Sequence, residues 1–119
     1  MDKKVNIYEL KKLVQDFCEE RDWDQFHNPK DLAIGISTEA NELLDIFRFK
    51  SLEQMKEMMD KPQVKEKIQD ELADTFFFIL RFAQMNGIDL ADALDSKIKM
   101  NEKKYPKEKA LGSNKKYNE

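Results

Sequence analysis

Residues 67–80, KIQDELADTFFFIL, decide the fold. Ile68, Leu72, Phe76 and Ile79 recur at the spacing of one helical stripe, and the run from Thr75 to Leu80 is apolar on every side. Glu71 and Asp74 stand beside the stripe at i, i+3, so on a helix both carboxylates leave from one face, about 5–6 Å apart. A second stretch, residues 34–47, IGISTEANELLDIF, repeats this arrangement. Leu32, Ile36, Leu43 and Ile46 make its stripe, and Glu39 and Glu42 its acid pair. Such spacings also arise as the solvent faces of amphipathic helices, especially where 38% of residues are charged. Two pairs set into the most apolar helices of a chain are also what a shared site requires. Four carboxylates in one half-buried groove repel each other and lose hydration unless a cation compensates. An all-oxygen donor set suits Mg²⁺ or Mn²⁺ better than zinc.

The remaining composition agrees with an all-α chain. Among 119 residues there are three Gly and three Pro, and abundant Glu, Lys, Leu, Met and Ala favour helix over sheet. One domain is expected, large enough to bury about two-thirds of its unfolded surface. No apolar run reaches the roughly 20 residues that span a bilayer, and Met1-Asp2-Lys3-Lys4 leads into an amphipathic helix rather than a secretion signal. The expectation is a cytoplasmic protein. Cys18 has no second cysteine to pair with and sits beside Val14 and Phe17 as a small core residue. The formal net charge of −3 is unevenly spread. Residues 97–119 hold eight lysines against three glutamates, which leaves −8 on the preceding residues. A basic end following an acidic body serves solvation, nucleic-acid contact or polyphosphate binding.

Local signals divide the chain into five helices. Asn6 caps a first helix that runs to about Glu20, with Ile7, Leu10, Leu13, Val14 and Phe17 as its buried stripe. The loop that follows gathers Trp23, Phe26 and His27, either as a staple on the core or as the lining of a pocket. Asn28-Pro29 starts a second helix reaching about Phe49. Ser51 caps a short third helix, and Lys61-Pro62 breaks it. The fourth runs from about Gln63 to Asn86 and ends at Gly87. Because its centre is apolar all round, it must be covered on every side, which predicts association of subunits. Asp89 caps the fifth, which Pro106 stops. There Lys97, Asn101 and Lys104 share one polar face, suited to solvent or to phosphate oxygens. Residues from 107 to 119 are expected to form a basic, flexible tail.

Several of these segments, taken in order, resemble a known family. RDWDQFHNPKDL at 21–32, EANELLDIF at 39–47, DELAD at 70–74, KIKMNEKKYP at 97–106 and SNKKY at 113–117 are similar to the MazG-like nucleotide pyrophosphohydrolases, most closely the dCTP pyrophosphatase branch. The resemblance implies an all-α bundle of four to five helices, assembled through the apolar central helix into a homodimer or homotetramer. Residues 1–106 would form the catalytic domain. It implies Mg²⁺-dependent hydrolysis of a nucleoside triphosphate, dCTP or a modified deoxynucleotide, to the monophosphate and pyrophosphate, as in the cleansing of nucleotide pools.

The family's metal and catalytic acids fall on Glu39, Glu42, Glu71 and Asp74. Its substrate contacts fall on Trp23, His27, Phe49, Phe78, Lys97, Asn101, Lys104 and Tyr105. Phe49 stands where relatives carry Trp, Phe78 where they carry Tyr, and Asn41 where they carry Gly. Loss of an indole N–H and a phenol hydroxyl removes polar contacts to base or sugar, so a strict preference for cytosine does not carry over. Neither a membrane nor a nucleic-acid partner is expected of such an enzyme. The rival readings are a non-enzymatic helical module that dimerises or binds nucleic acid, and a related pyrophosphohydrolase acting on dUTP or phosphoribosyl-ATP.

Overall fold

In the computed structural model, which describes residues 1–116, every regular element is helical. The order is α1 (Ile7–Glu20), a 3₁₀ turn (Asp24–Phe26), α2 (Pro29–Phe47), α3 (Leu52–Met59), α4 (Pro62–Met85), α5 (Leu90–Lys104) and α6 (Lys107–Ala110). The caps explain most of the boundaries. Asn6 Oδ1 accepts from the Glu9 amide at 2.8 Å, Asn28 Oδ1 from Asp31 at 2.9 Å and Asp89 Oδ1 from Asp92 at 2.8 Å, each satisfying an amide that the helix start leaves without a partner. Ser51 and Gln54 form a reciprocal capping box at the start of α3. Helix α2 stops at Phe47, two residues short of the expected end, because Phe49 takes a left-handed φ of 63° that no α-helix can continue. Gly87, at φ 63°, follows α4 as expected.

The chain divides after Gly87 into two units. In the first, α4 is the central element and packs along α2, against α1 and, over a shorter length, against α3. Their buried apolar side chains are Val14, Cys18, Leu32, Ile68, Leu80 and Ala83. Gly35 lets α2 approach closely: a Cβ there would stand 2.7 Å from the Phe78 ring. Two expected stripes need correction. Leu13 and Phe17 are exposed at 63% and 39%, since the face of α1 that meets α4 is the one through Val14 and Cys18. On α4, Leu72 and Phe76 are also exposed, because the buried line passes through Ile68, Leu80 and Ala83.

The second unit contains α5 and α6. The one-turn helix α6 occupies the first residues of the segment expected to be a flexible tail; residues 117–119 of that segment, with Tyr117 of the SNKKY match, lie outside the described residues.

Candidate active site

Three of the four acids meet across the α2–α4 contact. Each pair projects from one helical face, and Gly35 and Phe78 bring those faces together. One carboxylate oxygen from each of Glu39, Glu42 and Glu71 lies within 4.8 Å of the others. Asp74, one turn beyond Glu71, stands outside this trio, yet its charge acts on both Glu39 and Glu71. Thr75, in the same turn, returns its hydroxyl to the Glu71 carbonyl at 2.8 Å and so adds no competing donor.

The electrostatics are those of an uncompensated anionic cluster. Loss of hydration, followed by the charges of Glu42 and Asp74, raises the Glu39 pKa above the ordinary carboxylate range. Glu71 is pushed up to about 7, first by desolvation, then by a hydrogen bond to Glu42 that only its protonated form can donate, then by its acidic neighbours. Glu39 Oε2 and Glu71 Oε2 are buried without a hydrogen-bond partner among the described residues. Buried acceptors are seldom left so, and an orphaned pair in one cluster fits a site completed by something other than protein. The donors are all hard oxygens, the chemistry that holds Mg²⁺ or Mn²⁺ through carboxylates and retained waters.

An apolar cavity adjoins the acids. Leu13, Val14, Phe17, Phe77 and Phe78 wall a space of about 500 Å³, and Glu39 and Asp74 stand at it. The stripe residues that α1 leaves exposed therefore face this hollow. Phe17 meets Phe77 edge-on at 5.8 Å and Trp23 at 5.5 Å, and Phe77 meets Phe78 at 5.5 Å. The Arg21 guanidinium lies 3.7 Å over the Phe17 ring. Trp23 in turn stands edge-on to His27 at 6.1 Å. Of the aromatic residues predicted as substrate contacts, Phe78 lines the cavity directly and Trp23 buttresses its wall. Phe49 lies elsewhere, 96% exposed in the turn after α2 with Arg48 over its ring.

His27 is tied to a residue that sequence reasoning missed. Arg81, in α4, is 1% exposed. Its Nε donates to His27 Nδ1 at 3.0 Å, its Nη1 donates to Gln84 Oε1 at 2.7 Å, and its Nη2 pairs with Asp24. The signal was present: an arginine just beyond an apolar helical run is costly to bury unless a carboxylate answers it. The partners that answer it are Asp24 and His27, in the loop between α1 and α2.

Lys97, Asn101, Lys104 and Tyr105 belong to the second unit. Lys97 lies along α5 with Nζ 3.8 Å from Met100 Sδ, and the Tyr105 amide closes the helix on the Asn101 carbonyl at 2.8 Å. Lys104 and Tyr105 border a hollow of about 270 Å³ together with Lys109, Ser113, Lys115 and Lys116. The expected basic face is thus extended by lysines from the segment after Pro106.

The chain is similar to proteins of one kind. A sequence model of the MazG-like family matches residues 34–119. The dCTP pyrophosphatase 1 of Homo sapiens is 32% identical over 113 residues, 95% of this chain and 66% of the human protein. That of Mus musculus is 32% identical over 111 residues, 93% of this chain and 65% of the mouse protein. The chain therefore spans a little under two-thirds of these relatives. The crystal structure of a pyrophosphatase from Archaeoglobus fulgidus superposes with a TM-score of 0.78 at 33% identity, over 84% of this chain and 92% of that one.

Proposed function

Because the chain belongs to the MazG-like family, we propose that it hydrolyses a nucleoside triphosphate, dCTP or a modified deoxynucleotide, to the monophosphate and pyrophosphate. The observation that carries this reading is the trio Glu39, Glu42 and Glu71, with two buried carboxylate oxygens left without partners beside an apolar cavity of about 500 Å³. The names of the relatives support the same substrate class.

In this reading Glu39, Glu42, Glu71 and Asp74 hold Mg²⁺, with Mn²⁺ as a substitute. Such an ion, when bound, neutralises a triphosphate and makes hydroxide available from water near neutral pH. The chain's own residues do the rest. A carboxylate of the cluster orients the attacking water and takes up its proton. Leu13, Phe17, Phe77 and Phe78 exclude solvent and hold the base or sugar by apolar contact. Neither Phe49 nor Phe78 brings the polar group that Trp or Tyr would bring, so the base is selected mainly by shape. The family resemblance gives phosphate binding to Lys97, Asn101, Lys104 and Tyr105, all within the second unit, whose charges and donors suit phosphate oxygens.

The same reading includes self-association and action in the cytoplasm on free nucleotides, with neither nucleic acid nor membrane as a partner. A homodimer or homotetramer would cover Leu72 and Phe76, which α4 leaves exposed at 51% and 38%. The test is a panel of nucleotides, dCTP, dUTP, modified deoxynucleotides and phosphoribosyl-ATP, assayed for pyrophosphate release with and without Mg²⁺. Mg²⁺-dependent release from deoxynucleoside triphosphates is expected; release from none of the panel would overturn the reading.

A further inference from the structure

The Arg81 cluster does more than satisfy a buried charge. An arginine N–H can only donate, so the nitrogen that receives Arg81 Nε at 3.0 Å must carry a lone pair. That nitrogen is His27 Nδ1. A neutral imidazole has one proton, which then belongs to Nε2. We infer that Arg81 is a positioning residue: by donating to Nδ1 it keeps the His27 proton on Nε2, so the ring offers a fixed N–H donor to an acceptor on the ligand.

Three observations leave this donor to a ligand rather than to the fold. Nε2 has no partner among the described residues, although Nδ1 is fully engaged. His27 ends a row of edge-on aromatic contacts, Phe77 to Phe17 to Trp23 to His27, whose first two members wall the cavity beside Glu39 and Asp74. Both loop groups that meet Arg81, Asp24 and His27, follow Trp23 within four residues, so one buried guanidinium ties down the loop just after Trp23. The charged groups around the ring act in the same sense. Burial and the Arg81 charge lower the His27 pKa, and Asp24 offsets this only in part. The ring is therefore a neutral donor at pH 7.

That this donor serves a nucleotide rests on the function proposed above; the tautomer itself does not. His27 is the only histidine in the chain, so a two-bond ¹H–¹⁵N correlation spectrum of the imidazole, taken without metal or nucleotide, contains one pattern and needs no assignment. It should show Nε2 protonated and Nδ1 bare at pH 7. In Arg81→Met the ring should lose its single tautomer and titrate closer to the ordinary histidine range. In Asp24→Asn, which leaves Arg81 in place, it should keep the tautomer and titrate lower than in the parent. With dCTP and Mg²⁺, Arg81→Met should raise KM about tenfold, the size of one lost hydrogen bond, while kcat changes by less than about threefold.

A protonated Nδ1 or a charged ring at pH 7 in the parent protein would overturn the inference, whether or not Arg81→Met folds. So would a ring in Arg81→Met that is indistinguishable from the parent's, or a loss confined to kcat. If the tautomer is as stated but no nucleotide is hydrolysed, the Arg81–His27 assignment stands and the substrate reading fails.

Discussion

Helix α4 carries two clusters of charged side chains, and they solve opposite problems. Around Glu71 the charges have one sign, the neighbours are more carboxylates from α2, and two buried oxygens have no hydrogen-bond partner among the described residues. Around Arg81 the signs are mixed. The guanidinium is more deeply buried than any of the acids, yet it meets a carboxylate, an imidazole nitrogen and an amide oxygen. The second cluster answers its charge from within the fold; in the function proposed above, a cation answers the first. A shared helix ties the two together, so the satisfied end can hold the unsatisfied end in shape.

The largest effect that sharpens this contrast is on turnover. Glu42→Gln keeps the size of the side chain but removes a charge from the trio, and should lower the rate of pyrophosphate release by on the order of a thousandfold or more. Its circular dichroism should stay that of the parent. Turnover at the parental rate would remove the acids from the chemistry. The next effect is on stability at the other cluster. Asp24→Ala leaves the Arg81 charge buried without its carboxylate, whereas Arg81→Met leaves Asp24 half in water. Urea denaturation should therefore show the Asp24 variant destabilised by about 2 kcal/mol, reduced from the usual buried-pair cost because the carboxylate is solvent-screened. Arg81→Met should cost less. The reverse order would mean that the guanidinium acts chiefly by packing.

The difference between the clusters also explains what could be read from the sequence. The acid pairs are legible because i, i+3 spacing within an apolar helix states which face each carboxylate uses. The caps at Asn6, Asn28, Ser51 and Asp89 were equally local. Arg81 was not legible in this way: its partners lie 54 and 57 positions away in sequence, and periodicity carries no information about which loop returns to which helix. The same limit explains Leu13 and Phe17. Their spacing marks an apolar face, but only the α1–α4 contact decides that Val14 and Cys18 enter the core and that Leu13 and Phe17 border the cavity. Phe49 was misread as a helix end because nothing in its composition announces a left-handed residue.

Smaller effects test how the acid cluster is held together. Gly35→Ala puts a methyl group 2.7 Å from the Phe78 ring, which must then turn or press α2 away from α4. A net loss of about 1 kcal/mol is expected in chemical denaturation, the overpacking cost less the gain in helix propensity. An unchanged midpoint would show that the ring moves freely. The pH dependence follows from Glu71. A carboxyl whose folded pKa lies above its unfolded value stabilises the fold at low pH and loses that contribution as pH rises through the folded pKa. His27, with its lowered pKa, acts in the opposite sense below pH 6.5, but Glu71 near 7 and Glu39 also raised outweigh it, so the metal-free protein should melt at a lower temperature at about pH 8 than at about pH 5. Millimolar Mg²⁺ should restore the loss at the higher pH, because a ligand that binds only the folded state stabilises it. A melting temperature insensitive to both pH and Mg²⁺ would contradict the repulsion among the acids.

The most direct measurement is a Mn²⁺ titration of the protein without nucleotide, followed by electron paramagnetic resonance of the free ion, for the parent and for Glu39→Gln, Glu71→Gln in combination. The parent should remove Mn²⁺ from solution in saturable fashion and release it to excess Mg²⁺, while the double variant leaves the free-ion signal intact. Equal uptake by both proteins, or by neither, would contradict a cation site built from the acids of α2 and α4.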